Sequence, residues 1–156
     1  MERKNIVISP EEIKTQYEYM DKVRMLLAER MQEVHYAYVE TFGCQQNEAD
    51  SERIMGMLVR MGYTPTYDPA LADIIIVNTC AVREHAEDRV FGNVGALKPI
   101  KKKNPDMIIA LCGCMTQQQS VADKFRSSYP FVDIVFGTHA MYRLPEFVYR
   151  RLCLGK

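Results

Sequence analysis

Two hydrophobic rhythms alternate along the chain. Ile13, Tyr17, Met20, Val23, Leu27 and Met31 recur every three or four positions, the period of one helix face. Ser9 is a suitable N-cap, Pro10 fits the first helical position, and Glu11 and Glu12 suit the positive end of the helix dipole. This helix precedes the rest of the pattern. Residues 1–34 are therefore expected to form a helical arm beside a domain of residues 35–156.

From Tyr36 onward short β-rich runs alternate with helical stripes. Tyr36–Thr41 reads as a strand, followed by a helix capped by Asn47 with Ile54, Met57, Leu58 and Met61 on its inner face and Gly62 at its end. Thr64–Tyr67 is a weak extended segment, and Pro65 restricts it to a sheet edge. Ile74–Val77 and Met107–Leu111 are unbroken apolar runs, as expected of strands buried on both faces. Val132–Phe136 is expected to be a third such strand. Val82, Ala86, Val90, Val94 and Leu97 predict one long helix, closed by Pro99 and the Lys101–Lys103 run. Gln117–Ser127 and Met141–Leu152 predict two more. Strand and helix in alternation imply a parallel sheet covered on both faces. The expected fold is α/β, a doubly wound, flavodoxin- or Rossmann-like sheet of five strands in order 2-1-3-4-5, three layers deep, with an extra N-terminal helix.

The 156 residues suffice for one domain with its own core, and 47% of them are hydrophobic. The longest apolar runs are far shorter than a membrane span, and Met1–Ser9 carries no apolar signal segment. No membrane partner and a cytoplasmic setting are expected. Twenty basic residues balance twenty acidic ones. A domain that grips nucleic acid by itself usually has a basic excess, so only weak binding is expected of this chain alone.

The five cysteines change the picture. An odd number in a reducing compartment points to metal or redox chemistry rather than to disulfides. Cys44, Cys80 and Cys114 each follow a predicted strand, with 35 and then 33 residues between them. In the expected order these strands are neighbours, and ligands bind above the carboxyl ends of such sheets. Three thiolates there suit an iron–sulfur cluster with one iron uncovered. Gly43 and Gly113 each precede a candidate ligand and allow sharp turns and close approach. The competing reading is that each cysteine simply packs, as a small buried hydrophobe. Packing is the expectation for Cys112; Cys153, on the last helix, is expected to pack or to lie exposed.

Three segments carry a resemblance. Thr41–Asn47 (Thr-Phe-Gly-Cys-Gln-Gln-Asn), Asn78–Glu84 (Asn-Thr-Cys-Ala-Val-Arg-Glu) and Cys112–Gln117 (Cys-Gly-Cys-Met-Thr-Gln) resemble the three cysteine motifs of the radical S-adenosylmethionine methylthiotransferases. The likeness covers roughly residues 35–150. The Gln-Gln-Asn after Cys44 and the stretch Arg83–Gly92 are most similar to the branch that modifies N6-isopentenyladenosine beside the tRNA anticodon. The resemblance implies that Cys44, Cys80 and Cys114 ligate an auxiliary [4Fe–4S] cluster whose open iron presents sulfur. It also implies tRNA as the substrate of the whole enzyme, and S-adenosylmethionine with a second [4Fe–4S] cluster in a following barrel. This chain has no CxxxCxxC motif for that second cluster, so it resembles an N-terminal cluster-binding domain that does not complete the reaction alone.

Other candidates have two readings each. Asn47 is a helix cap or a group behind the site. Asn78, Thr79 and the amides near Gly43 and Gly113 are candidate donors to sulfur. Arg83 and Glu84 face a neighbouring domain or substrate, or form a solvated first turn. His139 lines the same crevice or is structural, and Lys101–Lys103 is a solvated helix end or a tRNA-backbone contact. A zinc-binding or redox-sensing module built on the same cysteines is the alternative function. A nucleotide or cobalamin site lacks support, since GxGxxG, GxxxxGK[ST] and Asp-x-His-x-x-Gly are all missing.

Overall fold

Five strands pair in one parallel sheet of order β2-β1-β3-β4-β5, the order expected. The computed structural model describes residues 7–43, 45–80 and 86–154. The central strands are β1 (His35–Thr41), β3 (Ile74–Thr79) and β4 (Ile108–Gly113). Every residue of β3 and β4 is buried. Successive side chains in a strand point to opposite faces, so the Ile-Ile-Ile-Val run serves both layers. Ile74, Ile76, Ile108 and Ala110 join one core, beneath α1 (Pro10–Ala28), α2 (Gln45–Arg60) and α6 (Leu144–Leu154). Ile75, Val77, Ile109 and Leu111 join the other, beneath α3 (Ala86–Ala96) and α5 (Gln119–Ser128). Among the described residues no helix is long and apolar enough to cross a membrane.

The register sets the site end of the sheet. Thr41 lies opposite Asn78, Asn78 opposite Cys112, and Thr79 opposite Gly113. The carboxyl ends of β1, β3 and β4 are therefore level. β2 (Tyr63–Pro65) pairs only with His35–Ala37, far from that end, and Pro65 sits on the edge as expected.

The first helix begins as expected, with a reciprocal bond between Ser9 and Glu12. Its inner stripe is Gln16, Met20, Val23 and Leu27, whereas Ile13 and Tyr17 are half exposed and Met31 is fully exposed. Gln16 Oε1 accepts from the Glu146 N–H at 3.3 Å, and Tyr19 packs on Tyr149, so α1 joins the layer of α2 and α6.

Five expectations need correction. The helix from Val82 to Leu97 does not simply stop at Pro99. α3 is followed at once by α4 (Lys98–Lys103), with Pro99 in the first turn, where the missing N–H costs no intrahelical bond. Val82 lies outside the described residues. Lys101 is not solvated: it is buried, its Nζ donating to the Met107 carbonyl and, at 2.8 Å, to Asp133. The third buried strand shrinks to β5 (Ile134–Val135), a half-buried edge strand. Single backbone bonds from Asp133 N to Ile109 O and from Phe136 N to Leu111 O flank it. The last two helices open with 3₁₀ turns, Met115–Gln117 and Thr138–Arg143. Finally, Asn47 does not precede α2 but lies inside its first turn, and its side chain reaches across to β3.

Candidate metal centre

Cys80 directly follows β3 and is buried, and Cys114 directly follows β4 and is half-buried. Cys44 and Arg83 lie outside the described residues. Gly43, which precedes Cys44 in the sequence, is described, and it lies against Cys80. Its backbone adopts φ +140°, and a Cβ added there would collide with the Cys80 Cβ and come within 2.8 Å of Asn47 Oδ1. Only a residue without a side chain lets the backbone at position 43 lie this close to Cys80.

Gly113 plays the same part between β3 and β4. At φ +105° it faces Asn78 and Thr79, and a Cβ would strike the Thr79 carbonyl. The Cys114 N–H then donates to Thr79 O at 3.2 Å. Both glycines thus lie against the end of β3.

Neutral side chains fix this end. Asn47 Nδ2 donates to Thr79 O at 2.9 Å and lies 3.5 Å from Asn78 Oδ1. Asn78 Nδ2 donates to Asn47 O at 2.8 Å and to Ser51 Oγ at 3.0 Å. Thr79 Oγ1 donates to Cys112 O at 2.7 Å. Both hydrogens of the Asn78 amide and the Thr79 hydroxyl hydrogen are therefore engaged within the fold. Through these bonds they hold the backbone that carries Cys80 and Cys112. Phe42 N donates to Asn78 O at 2.8 Å, which ties the exit of β1 to the same strand.

Cys112 packs, as expected. It is fully buried in the core beneath α2, 3.9 Å from Asn78 Oδ1. Burial, and secondarily the charge of Asp50, push its thiol far above the ordinary range, so it remains protonated. Cys153 is exposed on α6. His139 is exposed on the turn after β5, and no hydrogen bond or ring contact joins it to the cysteine segments among the described residues. Among those residues, no group of three or more His, Cys, Asp and Glu side chains is arranged to hold a metal ion.

Sequence reasoning missed Ser51 and Asp50. Both are buried and lie one helical turn beyond Asn47. The signal was available. The inward stripe of α2, followed back from Leu58 and Ile54 in steps of three and four, arrives at Ser51, Asp50 and Asn47. The apolar stripe of this helix turns polar where it meets the site.

Residues 36–137 match the family model described as Uncharacterized protein family UPF0004. The chain belongs to this family. The UPF0004 match runs from β1 through β5 and includes every cysteine except Cys153. The chain is also similar to proteins named tRNA-2-methylthio-N(6)-dimethylallyladenosine synthase. The protein of that name from Acetivibrio thermocellus is 44% identical over 151 residues, which is 95% of this chain and 32% of that protein. The one from Alkaliphilus oremlandii is 48% identical over 150 residues, 96% of this chain and 31% of the relative. The one from Clostridium tetani is 56% identical over 119 residues, 76% and 26% respectively. This UPF0004 chain thus spans a third or less of the length of the curated relatives it matches.

Proposed function

We propose that this chain is the cluster-binding domain of a tRNA-modifying methylthiotransferase of the MiaB branch. In this reading residues 35–156 form the cluster-binding unit and residues 1–34 its accompanying helical arm. Cys44, Cys80 and Cys114 hold an auxiliary [4Fe–4S] cluster. When bound, that cluster supplies sulfur at the iron the protein leaves uncovered.

The observation that carries the reading is the convergence on the end of β3: Gly43 lies against Cys80, and the Cys114 N–H bonds to the carbonyl just before Cys80. Two soft thiol donors at neighbouring strand ends, with a glycine at each approach, fit an iron–sulfur group in their chemistry. The names of the relatives support the substrate class. The protein's part is to hold three strand ends level and keep the fourth position open. The complete reaction would also need S-adenosylmethionine and a second [4Fe–4S] cluster in a following domain, with the tRNA bound through the full-length protein. The balanced charge favours weak tRNA binding by this chain alone, and a cytoplasmic setting suits such a substrate.

Anaerobic reconstitution with iron and sulfide tests this. The chain is expected to take up about four irons, and Cys44→Ala, Cys80→Ala or Cys114→Ala each to lose most of them. Cys112→Ala and Cys153→Ala are expected to retain them. An equal requirement for Cys112 or Cys153 overturns the ligand set. Uptake of zinc alone, without labile sulfide, supports the zinc or redox module instead.

A further inference from the structure

From the contacts of one amide we infer that Asn47 is a positioning residue: it donates to the Thr79 carbonyl and thereby sets the spacing of Cys80 and Cys114 at their strand ends. The inference rests on the cluster reading above and adds a part to it. Four contacts carry it. Asn47 lies in the first turn of α2, just past Cys44. Its Oδ1 lies against Gly43, where a Cβ would come within 2.8 Å. Its Nδ2 donates at 2.9 Å to the carbonyl immediately before Cys80. That carbonyl also accepts the Cys114 N–H at 3.2 Å. One carbonyl oxygen is thus shared between the Cys44-proximal helix and the Cys114 backbone, and it belongs to the residue that precedes Cys80. Asn78 closes the ring by donating back to the Asn47 carbonyl at 2.8 Å.

The chemistry distinguishes this part from that of a helix-start residue. A residue that serves a helix start uses its side-chain oxygen as an acceptor, and Asp serves as well as Asn. The bond to Thr79 needs a donor, which Asp lacks. Asn47→Asp keeps size and shape, but it sets a carboxylate oxygen against a buried carbonyl oxygen. A helix-start role tolerates the change, and a positioning role does not.

The test compares wild-type chain with Asn47→Asp, first in the reduced, metal-free state. A short bifunctional thiol reagent and peptide mapping report the rate at which Cys80 and Cys114 are bridged. Circular dichroism and melting report the fold. Iron content and the visible charge-transfer absorption are then read after reconstitution. Asn47→Asp is expected to melt cooperatively with unchanged secondary structure, and to bridge Cys80 to Cys114 about tenfold more slowly, the scale of one lost buried hydrogen bond. It is also expected to hold less than about one iron where wild type holds about four. Bridging and iron content equal to wild type overturn the inference and leave the cluster reading standing. A wild type that takes no iron overturns the cluster reading, while slower bridging in the variant still upholds the positioning role. If Asn47→Asp does not fold, Asn47→Ala, which removes the donor without adding charge, is judged by the same readouts and criteria.

Discussion

Two buried polar networks sit at opposite ends of the sheet, and they are built from different chemistry. At the carboxyl ends of the strands, Asn47, Ser51, Asn78 and Thr79 form a neutral network. At the amino end of β4, Asp133 anchors a charged one. Its carboxylate accepts from Lys101 Nζ at 2.8 Å, Arg151 Nε at 2.9 Å and the Ile109 N–H at 2.9 Å. The Asp133 side chain is fully enclosed, with Lys101 and Arg151 only 10% and 13% exposed. Each network ties together segments distant in sequence. The ionic one joins α4, β4, β5 and α6, and ions suffice where only the fold is at stake. The neutral one lies beside Cys80 and Cys114, where amides and hydroxyls hold the backbone without a charge of their own and the buried Asp50 carboxylate stands one helical turn away.

The sharpest way to break this comparison is Asp133→Ala. It strands two enclosed cations and is expected to cost about 3–5 kcal/mol in denaturant unfolding. The molecules that remain folded should still take up iron like wild type; if iron uptake fails among them, the two networks are not separate. Gly113→Ala comes next, at about 2–3 kcal/mol, because a left-handed backbone and a collision with the Thr79 carbonyl act together. Unlike Asp133→Ala, it should lower iron content along with stability.

Cys112→Ala is smaller, about 1–2 kcal/mol for a well-packed small side chain. It also carries a pH signature. The folded state keeps the Cys112 proton that the unfolded chain releases above about pH 8.5, so stability falls as pH rises beyond that value. Melting curves across the alkaline range should show a flatter loss in the variant, with iron content unchanged. The smallest effect is on Glu146. Burial alone would raise its carboxyl, but the hydrogen bond and charge of Arg143, with Arg150 and Gln16 behind, hold it below the ordinary range. Its contribution is present above about pH 4.3 and lost as pH falls through the lowered value. Glu146→Gln should flatten the acid side of the melting profile and nothing else.

The sheet order, the two central strands and the packed fate of Cys112 were legible in the residues, because a strand buried on both faces writes an unbroken apolar run. Lys101 was not legible. Its partner Asp133 is 32 positions away, and a lysine run reads as a solvated end until the fold supplies the anion. Pro99 was misread for a related reason, since proline ends one helix and starts the next with the same ring. Asn47 looked like a cap because asparagine suits that place. Only the position of β3 reveals that its donor points across the sheet. Cys44 and Arg83, outside the described residues, leave that part of the sequence reading as proposal.

The handshake between Gln16 and Glu146 spans 130 positions. As the polypeptide leaves the ribosome, the second half of α1 meets α2 early, through Arg24 and the carbonyl of Arg60. The first half has its partners on the last helix, so closure of that layer depends on contacts between the two ends of the described chain, with Tyr19 covered by Tyr149.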